Sequence, residues 1–125
     1  MQMRQLGRLW PVSALTLGGG GLGQVWGKTD RDEAVATVHA AVAAGITLFD
    51  LAPLYGRGES EAVIGEAFAG RPPPGLRFTT KCQVGTPAPA ETASMIRRHL
   101  ERSLAALHLP ERALVSELDI RPTNP

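Results

Sequence analysis

Residues Gly45–Phe68 read GITLFDLAPLYGRGESEAVIGEAF, and this stretch decides the fold. Ile46–Phe49 is a short apolar run with a β-branched pair, so it reads as a buried strand. Asp50 stands where the run ends, and a carboxylate there is costly unless a cation or hydrogen-bond donor meets it. Leu51–Leu54 leads out, Tyr55 and Gly56 follow, and Gly56–Gly58 is a turn. Ser60, or Glu59 just before it, is placed to cap a helix that carries Val63, Ile64, Ala67 and Phe68. Two polar groups, Asp50 and Tyr55, therefore lie at the carboxyl end of a strand. In parallel α/β folds that end is where chemistry is done.

Upstream, Gly45 is a C′ residue that ends a helix beginning after Asp30. Asp30 is its N-cap, with Glu33 as capping-box partner, and Val35, Val38, Val42 and Ala43 make an apolar stripe. His39 on this helix reads as a surface or half-buried side chain, because no second ligand lies at useful spacing. Gly18–Gly21, followed by Leu22 and Gly23, gives a backbone that either approaches a ligand closely or forms a flexible loop. It is not a dinucleotide-binding fingerprint, since no helix opens directly after it. Ala14–Leu17 is an earlier strand. Residues 1–14 form a hairpin around Leu9-Trp10-Pro11, with Pro11 serving the turn.

Downstream, the proline-rich run Gly70–Gly75 is a stiff loop. Phe78–Cys82 is the next strand and Gly85–Pro89 a second loop. Glu91–Leu107 is a helix with Met95, Ile96, Leu100, Leu104 and Leu107 facing inward. Such β-α alternation argues a parallel sheet with right-handed crossovers. Ala113–Ile120 carries two acids and reads as a short amphipathic helix begun by Pro110, rather than a strand buried on both faces. Arg121–Pro125 reads as an unstructured end.

Length and charge narrow the function classes. The chain has 125 residues and a net charge of +1, which gives no support for nucleic acid or an acidic partner. A lone cysteine, Cys82, excludes an internal disulfide framework and fits a reducing cytoplasm. No apolar run approaches the ~18 residues of a membrane span, and the N-terminus lacks a signal-peptide pattern. The expected location is cytoplasmic, with no membrane partner.

Three stretches together resemble the aldo/keto reductase superfamily. Phe49-Asp50-x-Ala52-x-x-Tyr55-Gly56, followed by Glu59 and Gly65, is similar to the family signature. Phe78-Thr79-Thr80-Lys81 resembles its third strand, which ends in a catalytic lysine. Met3–Gly7 and Val12–Leu15 resemble its opening hairpin and first strand. The matches stand in order and cover roughly residues 3–107. The resemblance implies the N-terminal part of a (β/α)8 barrel: about three β/α units after a β-hairpin. Residues 1–109 are then a partial barrel domain and 110–125 a divergent tail. A complete barrel takes ~250 residues, so the chain is expected to be a truncated member.

The residues themselves suggest the chemistry. A carbonyl that accepts hydride on carbon needs a proton on its oxygen. A phenol can deliver it when a nearby ammonium favours the phenolate, and a carboxylate can hold that ammonium in place. Tyr55 is the candidate general acid, Lys81 its tuner and Asp50 the anchor of Lys81. Taken singly, each has a plainer reading: Asp50 a cap, Tyr55 a loop anchor, Lys81 a solvated strand end. The resemblance implies the same catalytic roles, NADP(H) as cofactor, and Gly19, Gly20 and Asp50 as cofactor-binding residues. A small-molecule carbonyl is the implied substrate, and no metal is implied. The family's fourth catalytic residue, a histidine ending strand four, has no counterpart here; Arg121 is the nearest positional substitute. Cys82 reads as a small core side chain. Two rivals stand beside the reductase reading: an inactive fragment, and a non-catalytic binding or regulatory relative. A sheet of about three strands leaves two open edges, so self-association of the isolated chain is expected.

Overall fold

The computed structural model describes residues 1–110 and 120–121. An antiparallel hairpin comes first: β1 (Met3–Gln5) pairs with β2 (Pro11–Ser13), Arg4 opposite Val12. Pro11 lies in the second strand and not in the turn. The reversal is made instead by Leu6–Trp10, where Gly7 takes a φ of 52° and the Leu6 amide donates to the Trp10 carbonyl. Proline is tolerated there because β2 is the edge of a two-stranded sheet.

Three β/α units follow. They comprise β3 (Thr16–Gly18), α1 (Arg31–Ala43), β4 (Leu48–Asp50), α2 (Glu59–Phe68), β5 (Arg77–Thr79), β6 (Cys82–Gln83) and α3 (Pro89–Ala106). The strands β3, β4 and β5 form a parallel sheet in chain order. Its register aligns Leu17 with Phe49 and Phe78, and Gly18 with Asp50 and Thr79. Side chains alternate across the sheet. Phe49 and Phe78 point to the helix layer, while Asp50 and Thr79 point to the opposite face, where their side chains bond one another.

The core fills the space between sheet and helices. Phe49, Leu51, Val38 and Val63 have no exposed surface, and Ala34, Ala41, Ile64 and Leu107 join them. Phe49, Phe78 and Phe68 stack in sequence, with centroids 5.6 and 6.2 Å apart. Two parts of the expected stripe on α1 shift. Ala34 and Ala41 are buried beside Val38, whereas Ala43 is exposed. The contact face follows positions 34, 38 and 41, the 3.6-residue period, with Val35 and Val42 at its margin. His39 is exposed and sets its ring edge-on to Phe68 at 6.0 Å.

Helix ends mostly follow local rules. Asp30 caps α1 by accepting from the Asp32 amide, but Glu33 returns no bond to the Asp30 amide among the described residues. Gly45, at φ 87°, closes α1: its amide donates to Val42 and that of Ile46 to Ala41, a Schellman pair. The end of α3 uses the same pattern with His108 in the glycine position, at φ 54°. Pro89 opens α3 at its first turn, two residues before the expected start at Glu91.

The strand expected over Phe78–Cys82 is split. Thr80 and Lys81 lie outside both β5 and β6, and their side chains bond to Glu61 and Asp50, as described below. A short strand β7 (Ile120–Arg121) runs parallel to β6, placing Arg121 beside Gln83. Arg121 is thus part of a strand and not of an unstructured end. Of the amphipathic helix expected over 113–120, residues 113–119 lie outside the described residues, and Ile120 belongs to β7 instead.

Candidate active site

The carboxyl ends of β4 and β5 bring Asp50, Lys81 and Tyr55 together. The Lys81 ammonium donates to Asp50 Oδ1 at 2.8 Å and to the Leu51 carbonyl at 2.8 Å. Thr79 donates its hydroxyl to the same Oδ1 at 2.9 Å. With Asp50 44% and Lys81 37% exposed at the side chain, this ion pair contributes at most about 1 kcal/mol to stability. Its consequence is placement: two acceptors fix the lysine head. The third of its N–H donors has no protein partner among the described residues. The ammonium stands 4.9 Å from the centroid of the Tyr55 ring, over its face. Lysine and phenol therefore meet through a cation–π contact.

Tyr55 is held by its backbone. Its amide donates to the Ala52 carbonyl and its carbonyl accepts from the Ser60 amide. A Cβ added at Gly23 would stand 2.5 Å from the Tyr55 carbonyl carbon, and one at Gly56 would stand 2.2 Å from the Gly23 carbonyl oxygen. Glycine at both positions lets the β3–α1 and β4–α2 loops touch backbone to backbone. A cleft of about 290 Å³ opens beside this junction, lined by Gly23, Gln24, Gly56, Arg57 and Glu59.

The cap expected from Ser60 or Glu59 is not made. The N-cap of α2 is Gly58, at φ 97°, with no side-chain bond. Carbonyls of the preceding turn take the first amides instead: Gly56 that of Glu59, Tyr55 that of Ser60, Gly58 that of Ala62. Ser60 is fully buried, and its hydroxyl has no partner among the described residues. Glu59 turns outward to a bidentate pair with Arg31, at 2.8 and 2.7 Å, and Glu66 accepts from the same guanidinium at 2.8 Å. Burial opposes the Arg31 charge, but Glu66 and Glu59 outweigh it and hold its pKa above the ordinary arginine range.

Gly19 lies beside Asp50, donating its amide to the Asp50 carbonyl at 2.8 Å. Both Gly19 and Gly20 are buried. A Cβ at Gly19 would meet Ser60 Oγ at 2.7 Å, and one at Gly20 the Trp26 ring at 2.5 Å. Their missing side chains make room first for the chain's own atoms. Cys82 is a buried thiol, as expected, and burial pushes its pKa up. The sequence reading missed the Thr79 hydroxyl on Asp50, the Arg31 clamp and a part-buried pair between Glu61 and Thr80. Acids at both 59 and 61 in one helical turn were the available signal.

Known proteins share this sequence pattern and fold. The model of the aldo/keto reductase family matches residues 14–119. The chain belongs to the aldo/keto reductase family. Among curated members, L-galactose dehydrogenase from Arabidopsis thaliana is 34% identical over 112 residues, covering 87% of this chain and 35% of that protein. Among solved members, a glycerol dehydrogenase from Gluconobacter oxydans superposes with a TM-score of 0.66 at 35% identity, covering 86% of this chain and 36% of its own. A family member from Klebsiella pneumoniae, solved in complex with NADPH, gives a TM-score of 0.67 at 25% identity. This chain thus spans about a third of the length of these relatives. Its fold is the N-terminal part of the family's (β/α)8 barrel: hairpin, then three β/α units.

Proposed function

We propose that this chain supplies the proton-handling part of an NADP(H)-dependent carbonyl reductase, or of the same enzyme running as an alcohol dehydrogenase. The observation that carries the reading is the Lys81 ammonium, fixed by Asp50 and the Leu51 carbonyl and held 4.9 Å over the Tyr55 ring. Tyr55 acts as general acid toward the carbonyl oxygen. Lys81 stabilises the phenolate left behind, and Asp50 anchors Lys81. Both polar side chains of the ion pair keep an exposed face at the sheet's carboxyl end, so a ligand can reach them. Asp50 and the backbone at Gly19 and Gly20, which adjoins it, are the proposed contacts to the nicotinamide nucleotide. That cofactor would supply the hydride. The residues of this chain would bind it, orient the carbonyl and move the proton.

The substrate reading rests on relatives: one is a dehydrogenase of L-galactose and another of glycerol. Small sugars, polyols and their carbonyl forms are the class we propose. Replacing Tyr55 with Phe tests the reading, with carbonyl reduction followed by NADPH absorbance. The expected loss is about 10²–10⁴-fold, the usual worth of a positioned general acid. Undiminished turnover would remove Tyr55 from the mechanism.

Domain division and location are proposals of the same kind: a barrel part through residue 109, a tail from 110, and a cytoplasmic protein. No helix among the described residues is long and apolar enough to cross a membrane. Strands β3 and β5 each have one unpaired side among the described residues, which favours self-association of the isolated chain. Sedimentation at several concentrations checks this, and a constant monomer mass would refute it.

A further inference from the structure

Glu61 is a carboxylate buried to 3% exposure, in the first turn of α2 between the fully buried Ser60 and Val63. The start of a helix favours a negative charge, yet burying a carboxylate costs more than a single hydroxyl bond returns. One side-chain partner faces it among the described residues: Thr80 Oγ1 donates to Glu61 Oε1 at 2.6 Å, within the short range of charge-assisted bonds. Thr80 lies where the ladder breaks between β5 and β6, immediately before Lys81. Its neighbours Thr79 and Lys81 both donate to Asp50 Oδ1 on the opposite side of the sheet. Glu61 follows Ser60, whose amide holds the Tyr55 carbonyl. The Glu61–Thr80 bond therefore ties the backbone that carries Lys81 to the backbone that carries Tyr55.

We infer that Glu61, acting through Thr80, is a positioning residue that sets the Lys81 ammonium over the Tyr55 ring. The inference rests on the proposed roles of Tyr55 and Lys81, but its test reads geometry and not turnover. Without the bond, Thr80 is free to continue the strand, and the Lys81 backbone loses its tie to α2. The Asp50 pair alone then holds a long, partly exposed side chain.

Tyr55 is the chain's one tyrosine, so its ring signals in an NMR spectrum need no assignment. The readout is the nuclear Overhauser contact between the Lys81 ε-methylene and that ring, together with the ring shifts, measured on the whole chain. Thr80→Val removes the hydroxyl and keeps the shape. It is expected to abolish the contact and move the ring signals, while Thr80→Ser restores both. Glu61→Gln keeps an acceptor oxygen and is expected to retain the contact. A folded Thr80→Val chain with the wild-type contact and ring shifts would overturn the inference, even with a lowered Tm, because the bond would then be structural only. If Thr80→Val does not fold, Thr80→Ser and Glu61→Gln decide. The contact present in both supports positioning, and its loss in either folded variant overturns it. Failure of Tyr55→Phe to reduce activity is a separate result that refutes the catalytic reading and leaves this geometry standing.

Discussion

Gly65→Ala sets helix propensity against tertiary packing, and the two predict opposite signs. Position 65 lies inside α2, where Ala is favoured over Gly by about 1 kcal/mol. On that ground alone the substitution stabilises. The structure says otherwise. A Cβ at Gly65 would stand 2.2 Å from the Ala106 carbonyl oxygen, and 3.2 Å from both the Ala106 and the Leu107 carbonyl carbons. Carbon–oxygen contacts of this kind settle at roughly 3.3–3.6 Å, so about 1 Å of movement is required. The obstacle is main chain at the end of α3, and it cannot rotate aside as a side chain would. Overpacking of a tight site costs up to about 3 kcal/mol. Subtracting the propensity gain leaves a net loss of about 2 kcal/mol. With a urea slope of ~1–3 kcal/mol/M, the midpoint should fall by roughly 1 M. Equilibrium urea unfolding followed by far-UV circular dichroism measures it. An unchanged or raised midpoint would refute the close approach of α2 to the end of α3, and with it the packing reason for glycine in the signature.

Further outcomes follow from the same geometry. His108→Gly relieves a left-handed residue at the C′ position of α3 and should stabilise by about 0.5–1 kcal/mol after the entropy of glycine is deducted, read as a Tm raised by a few degrees. Burial raises the Cys82 thiol above its ordinary 9.0, so its contribution to folding is intact below that pH and is lost as pH climbs through the folded value. Native chain should accordingly react with iodoacetamide far more slowly than urea-unfolded chain, with mass spectrometry counting the adduct. Equal labelling rates would show the thiol to be open.

Much of the site was readable because it follows from local pattern. The apolar run at Ile46–Phe49 announces a strand, though hydrogen bonding confines it to Leu48–Asp50. Asp50 and Lys81, expected at neighbouring strand ends, do meet at 2.8 Å. What the pattern mistook was the start of α2. Ser60 has the chemistry of a cap, but the positive φ of Gly56, Arg57 and Gly58 carries the chain into the helix with its own carbonyls as partners. The hydroxyl is then driven into the core against Gly19.

The sequence by itself determined the order of the hairpin and the three β/α units, the caps at Asp30 and Gly45, the family, and the residues that gather at the sheet's carboxyl end. These depend on periodicity, turn chemistry and motif, all of which act over a few neighbours. Only the tertiary structure decided that Arg31 holds Glu59 and Glu66, 28 and 35 residues away. It alone placed Glu61 against Thr80, set Lys81 over the face of the Tyr55 ring, and assigned Gly19, Gly23, Gly56 and Gly65 to close contacts within the chain. Each of these is a meeting of segments whose separation in space is fixed by the packing of helices on the sheet, a quantity that no local run of residues encodes.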